Sequence, residues 1–216
     1  MVALSFPLVV GPDRPRLALT LAHGAGAGMR HRFMEAVARA LARHGVATLR
    51  YQFPYMDAGS RRPDPPAVLA AAVRNAVEWT REQFPDLPLL AGGKSLGGRM
   101  TSQAAAASPL PGVAGLVFLG FPLHRPKQPG LGREEHLDRV TVPMLFLQGT
   151  RDDLADLDLI RQVTARLGSR ATLHVVEGAN HSFEVLKRSG RNNEEVIEEL
   201  ASTIAQWRSY SPSPDS

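Results

Sequence analysis

Apolar residues in this chain fall into short dense runs, separated by stretches whose apolar positions recur at helical spacing. Arg16–Ala22 (RLALTLA) reads as a β-strand ending at His23-Gly24. Arg30–His44 then sets Phe33, Val37, Ala40 and Leu41 on one helical face, with Gly45 as the stop signal. Val46–Tyr51 is the next strand, and the proline-rich residues 52–66 read as a loop. Ala67–Phe84 predicts a second helix, packing through Val68, Leu69, Val73, Val77 and Trp79. Leu87–Ala91 is a short strand, followed by Gly92–Gly98 and an alanine-rich helix through Ala107. The second half keeps the rhythm: Val113–Leu119, Pro143–Gln148 and Thr172–Val176 as strands, Leu157–Leu167 and Asn193–Arg208 as helices.

Nearly continuous apolar strands alternating with helices are the mark of a parallel sheet covered on both faces. The expected architecture is one doubly wound α/β domain over residues 1–209, with a mostly parallel sheet of about six to seven strands. Ala3–Val10 is expected to add an antiparallel edge strand, and residues 210–216 (SPSPDS and the residue before it) a frayed tail.

Open α/β sheets gather their ligands at the carboxyl ends of the strands, so the polar residues that follow each strand are informative. They are His23–Gly28 (HGAGAG), Gly93–Gly98 (GKSLGG), Gly149–Asp153 (GTRDD) and Glu177–Ser182 (EGANHS). Gly93–Gly97 fits the G-x-S-x-G nucleophile elbow, a strand-to-helix turn so tight that only small residues fit beside the serine. Ser95 is the candidate nucleophile; its bland alternative is a serine that merely caps the following helix. A hydroxyl needs a base, and the base an orienting carboxylate. The chain order nucleophile, acid, histidine is met by Ser95, Asp152 and His181, each just beyond a predicted strand. Asp153 is the main competitor for the acid, with Asp156, Asp158 and Glu177 behind it; Asp152 is preferred because it comes earliest in its turn. Among the seven histidines, only His181 follows both the last strand and the acid. Ala25 and Leu96 backbone N–H groups are the candidate oxyanion donors, since glycine and alanine allow close backbone approach. Two nucleotide-binding patterns fail: a P-loop would need glycine where Pro88 stands, and G-x-G-x-x-G would need it at Met29.

HGAGAGM with Arg32-Phe33-Met34, GGKSLGGRM at 92–100, GTRD at 149–152 and ANHSF at 179–183 make the chain resemble a known group over nearly its whole length. It is similar to the small α/β-hydrolases related to testis-expressed protein 30, and more distantly to dienelactone hydrolases. The resemblance implies an α/β-hydrolase fold and a Ser95–Asp152–His181 triad. Lys94 beside the serine and Arg99 just after it match this group rather than ordinary esterases; with His23, they are candidate substrate-binding residues. The short connector His124–Thr141 leaves no room for a lid domain. The cleft should therefore be open, with little apolar surface, and with Arg99, Arg125, Lys127 and Arg151 as candidate rim residues. A short or carboxylate-bearing ester is expected rather than a triglyceride.

Composition narrows the partners. The 216 residues contain no cysteine, which removes disulfides, thiolate metal sites and thiol nucleophiles together. No cofactor or metal is expected. The net charge is +4, but the basic residues, all arginine except Lys94, Lys127 and Lys187, are scattered, so no nucleic-acid footprint forms. No run approaches the roughly 20 apolar residues of a membrane span, and the N-terminus lacks a basic leader, so a cytoplasmic protein without a membrane partner is expected. Two functions stand: a serine hydrolase acting on a small-molecule acyl substrate, and a catalytically silent scaffold or binding protein on the same fold.

Overall fold

The computed structural model describes residues 5–125, 128 and 130–207. Among them a seven-stranded sheet runs in the order β1-β3-β2-β4-β5-β6-β7. The strands are β1 (Leu8–Val10), β2 (Leu17–Ala22), β3 (Val46–Tyr51), β4 (Leu89–Lys94), β5 (Val113–Leu119), β6 (Met144–Arg151) and β7 (Ala171–Asn180). All neighbours pair in parallel except β1, which lies antiparallel on β3 at one edge. Helices α1 (Arg32–Arg43) and α6 (Asn193–Gln206) cover one face; α3 (Pro66–Gln83), α4 (Leu96–Ala107) and α5 (Leu157–Leu167) cover the other. A single turn, α2 (Pro54–Asp57), interrupts the segment expected to be all loop.

Alternation along each strand feeds two separate cores. Leu17, Leu19, Leu21, Leu90, Val117, Leu119, Leu145 and Leu147 face α1 and α6. Leu49, Tyr51, Leu89, Ala91, Phe118 and Phe146 face α3, α4 and α5. In the second core Phe118 packs against Phe146 and Phe121 with ring centroids 4.8 and 5.2 Å away, which ties the ends of β5 and β6 together just below the site.

The helix starts are specified by side chains. Asn192 and Glu195 form a reciprocal capping box on α6, and Asp156 accepts two backbone N–H bonds at the start of α5. Three strands are longer than expected. β4 continues through Gly92 and Gly93 to Lys94, β6 through Gly149 to Arg151, and β7 on to Asn180; Gly92, Gly93 and Gly149 accept close backbone neighbours rather than break pairing. The connector from β5 to β6 carries a short 3₁₀ turn, Glu135–Arg139, whose His136 bonds Ser102 of α4 at 2.7 Å. That turn packs on α4. Ala3 and Leu4 of the expected edge strand, Lys127, Arg208 and the tail 210–216 lie outside the described residues.

Candidate active site

β4 and α4 meet at Ser95, which has φ 51° and ψ −113°, a conformation that a non-glycine residue adopts only under constraint. The neighbours explain how it is held. A Cβ on Gly93 would lie 2.5 Å from the Ala22 carbonyl oxygen, and one on Gly97 would lie 2.6 Å from the same atom. Two glycines therefore let the elbow press against the end of β2. Gly97→Ala should lose about 2–3 kcal/mol of stability, read by urea denaturation, since backbone and not a flexible side chain blocks the methyl. Ser95 stands at the N-cap of α4, yet its side chain makes no capping bond.

That hydroxyl is engaged elsewhere. Ser95 Oγ lies 2.9 Å from His181 Nε2, and His181 Nδ1 lies 2.9 and 2.8 Å from the two carboxylate oxygens of Asp152. The three residues come from the ends of β4, β7 and β6. His181 sits in a tight turn after β7, where Asn180 Oδ1 accepts the N–H groups of Ser182 and Glu184, both at 2.9 Å. Asp152 is held by the Leu154 N–H at 2.8 Å and by the side-chain amide of Gln148. Gln148 is fully buried, and its Oε1 accepts the Phe121 N–H at 3.0 Å, so its Nε2 is committed to the carboxylate. The Asp152 side chain is 1% exposed and that of His181 18%, so the chain of bonds runs from the interior to a serine open to the cleft.

The competing residues are occupied elsewhere. Asp153 is exposed, Asp156 caps α5, Asp158 pairs with Arg161, and exposed Glu177 bonds Thr150. His31 caps α1, His44 pairs with Glu198, and His174 pairs with Glu199. His124 accepts the Asp156 N–H, and His136 is on Ser102. Burial pushes the His136 imidazole down to about 4, so it stays neutral in its packed setting.

Of the three residues expected to touch substrate, His23 and Arg99 lie off the cleft, while Lys94 lines it. His23 is fully buried: it accepts the Phe53 N–H at Nε2, which leaves Nδ1 to donate to the Gly24 carbonyl, and burial holds its pKa below the ordinary value. It braces the Gly24–Gly28 loop from behind. Arg99 lies near Arg133 and His136 under the β5–β6 connector, outside the cleft. Lys94 lines the cleft beside Ser95, with its ammonium buried. For His23 and Arg99 the sequence locates the residue at a strand or helix end but not the direction of its side chain. Ala25 lines the cleft beside Ser95, and Leu96 is the first residue of α4, where a helix leaves its N–H groups without internal acceptors.

The cleft itself, about 890 Å³, opens between α1, the 181–184 turn and the start of α6. Its wall contains Phe33, Met34, Phe183 and Ile197, and Phe33 stacks on Phe183 with centroids 5.7 Å apart. The wall is more apolar than expected. The expected rim residues Arg99, Arg125 and Arg151 are not part of it; the arginines that line it are Arg32, Arg39 and Arg43 of α1. Each is already paired, with Glu184, Glu35 and Glu198 respectively. Gln148 and this α1–α6 wall escape sequence reasoning. A glutamine ending the apolar run Met144–Leu147 is the available signal for the first.

A strained serine between a parallel strand and a helix, with acid and histidine following later strands, defines the class: this is an α/β-hydrolase fold without a lid. The chain belongs to the alpha/beta hydrolase domain family, which it matches over residues 15–209. Solved structures with the same fold include an alpha-beta serine hydrolase homologue from Coxiella burnetii (19% identity, 92% of this chain and 90% of that one, TM-score 0.71). A serine hydrolase without a lid from Xanthomonas campestris superposes with TM-score 0.71 at 21% identity over 92% of this chain and 87% of its own. Dienelactone hydrolase from Anabaena variabilis does so with TM-score 0.70 at 23% identity over 93% and 88%. A Mycobacterium tuberculosis protein, provisionally named a phosphoribosyl transferase, is 28% identical over 91% of this chain. The chain spans only 41% of that relative's length, so the transferase name describes a much longer protein.

Proposed function

We propose that this chain is a serine hydrolase that cleaves a small ester or related acyl substrate through an acyl-enzyme. The observation that carries the reading is the unbroken hydrogen-bonded path from Asp152 through His181 to Ser95 Oγ. His181 Nε2 takes the proton as Ser95 Oγ bonds to the carbonyl carbon. The Ala25 and Leu96 N–H groups receive the oxyanion, and the dipole of α4 favours the same charge. When the intermediate collapses, the alcohol leaves with the proton from His181. Water then gives a proton to His181 and attacks the acyl carbon, and Ser95 regains its proton as the acid departs. Asp152 keeps the imidazole oriented and stabilises its cationic form throughout. The elbow lysine and arginine keep the chain near the group related to testis-expressed protein 30, and a cytoplasmic setting fits its lack of cysteine.

The cleft supports a substrate class. Paired rim arginines leave little free positive charge for a substrate carboxylate, while Phe33 and Ile197 offer an apolar wall to the alcohol or aryl half of an ester. With no lid to extend that wall, activity should peak on acetyl or butyryl aryl esters and show no interfacial activation. A p-nitrophenyl ester series run alongside fluorophosphonate labelling tests this. A maximum at the palmitoyl ester would overturn the substrate class. Absence of both turnover and labelling would overturn the hydrolase reading in favour of a silent scaffold.

A further inference from the structure

Lys94 ends β4 on the side of the sheet that carries Leu90, facing the α1–α6 layer. Its Nζ is buried without a hydrogen-bond partner, 5.5 Å from the centroid of the Phe183 ring. An unpartnered ammonium is an expensive group to bury unless its charge acts on something nearby. Gly120, at the end of β5, locates that partner. A Cβ built there would lie 3.1 Å from Lys94 Nζ, 3.4 Å from Asp152 Oδ2 and 3.4 Å from His181 Nδ1. Ammonium, carboxylate and imidazole thus surround one point, which the missing side chain of Gly120 leaves free.

We propose that Lys94 is a positioning residue whose buried charge acts through the Asp152–His181 pair and keeps that pair in its carboxylate–imidazole form. The inference rests on the serine hydrolase reading for its catalytic meaning, but the coupling of the three groups stands on geometry alone. A carboxylate by itself invites a proton onto the neighbouring imidazole; a cation on its other side opposes that proton while favouring the carboxylate. That opposition serves a base whose task is to take the Ser95 proton. Asp152, from the turn after β6, and His181, from the turn after β7, are the titratable groups that meet Lys94 at this point. His23, at the end of β2, faces the other way, against Phe53 and Tyr55. Burial lowers the lysine pKa to about 8, and the Asp152 charge opposes that fall.

The test has one arm that needs no substrate. In the full chain labelled at lysine ¹³Cε, the spectrum holds only Lys94, Lys127 and Lys187, and the Lys94 signal is identified by its loss in Lys94→Met. Its titration midpoint should fall in Asp152→Asn, where the opposing charge is gone. In the second arm, Lys94→Met should move the acid limb of the kcat/KM–pH profile up by about one pH unit, the scale expected of a partly screened unit charge nearby. The deficit should be about fivefold or more at the foot of the limb, and should narrow toward pH 8. A Lys94 midpoint that ignores Asp152→Asn would overturn the proposal, as would an activity loss of equal size at every pH. If Lys94→Met does not fold, Lys94→Gln replaces it in the second arm, and two-dimensional assignment of the wild-type signal replaces it in the first. If the chain proves inactive, the hydrolase reading fails by itself, and the spectroscopic arm alone decides whether the ammonium is coupled to the pair.

Discussion

Ser95→Ala should lower kcat/KM for an activated aryl ester by about 10⁴–10⁶-fold and abolish fluorophosphonate labelling, while leaving the fold in place. The size of the loss follows from the way the three side chains act. The histidine and the aspartate only deliver a proton to and from one oxygen, so without that oxygen their geometry has nothing to act on. Residual turnover would come from binding and from the oxyanion donors, which are backbone groups untouched by the substitution. The fold should survive because Ser95 Oγ makes no capping bond to α4 and accounts for no other structural contact than His181. Stability should change by less than about 1 kcal/mol, since the backbone strain remains and a single hydrogen bond to a partly exposed imidazole is lost. The checks are steady-state kinetics, intact-protein mass after probe treatment, and thermal unfolding. Equal labelling of wild type and variant would remove Ser95 as the nucleophile.

Much of this site is readable because the fold does most of the selecting. A parallel sheet brings the carboxyl ends of its strands to one edge, so residues far apart in sequence, such as Ser95, Asp152 and His181, become neighbours once their strands are recognised. Side-chain direction is the part that cannot be read. Lys94 lines the cleft as expected, but the depth of its ammonium is hidden while β4 is taken to end three residues early, at Ala91. Carrying the strand through Lys94 puts the side chain on the same face as Leu90, with its ammonium buried at the cleft floor. His23 directly follows β2 and has the composition of a cleft residue, but its ring turns into the α3–α4 layer to satisfy the backbone of Phe53 and Gly24. Arg99 is one turn past Ser95 on α4, where only the path of the β5–β6 connector decides whether it meets solvent or is covered. The apolar wall escapes for a different reason. It forms between α1 and α6, which are about as distant in the chain as two helices here can be, and pattern within either helix says nothing of the gap between them.

Asp152 and Asp153 differ by one residue, and the expected consequences differ by orders of magnitude. Asp152→Asn should lower kcat about 10³–10⁴-fold, because an amide facing His181 Nδ1 favours the wrong tautomer and no longer stabilises the imidazolium. Asp153→Asn should change it less than about twofold, as expected for an exposed side chain away from the acting groups. Gln148 sharpens the contrast. Its Oε1 already accepts the Phe121 N–H, so its Nε2 must remain a donor, and the amide introduced by Asp152→Asn would have to present its oxygen to Gln148 or to Leu154. With both of those donors competing for the one remaining oxygen, the new NH₂ group is driven toward His181, which is the orientation that costs most activity. Gln148→Glu should therefore be damaging as well, for it places a second carboxylate against a buried one. Rate measurements on the two asparagine variants, with folding confirmed by thermal unfolding, decide the assignment. If Asp153→Asn gave the larger loss, the acid would be wrong by one position and the turn after β6 would have to rotate during catalysis. If neither mattered, His181 would work without a carboxylate, and the hydrogen-bonded path that carries the functional reading would be structural only.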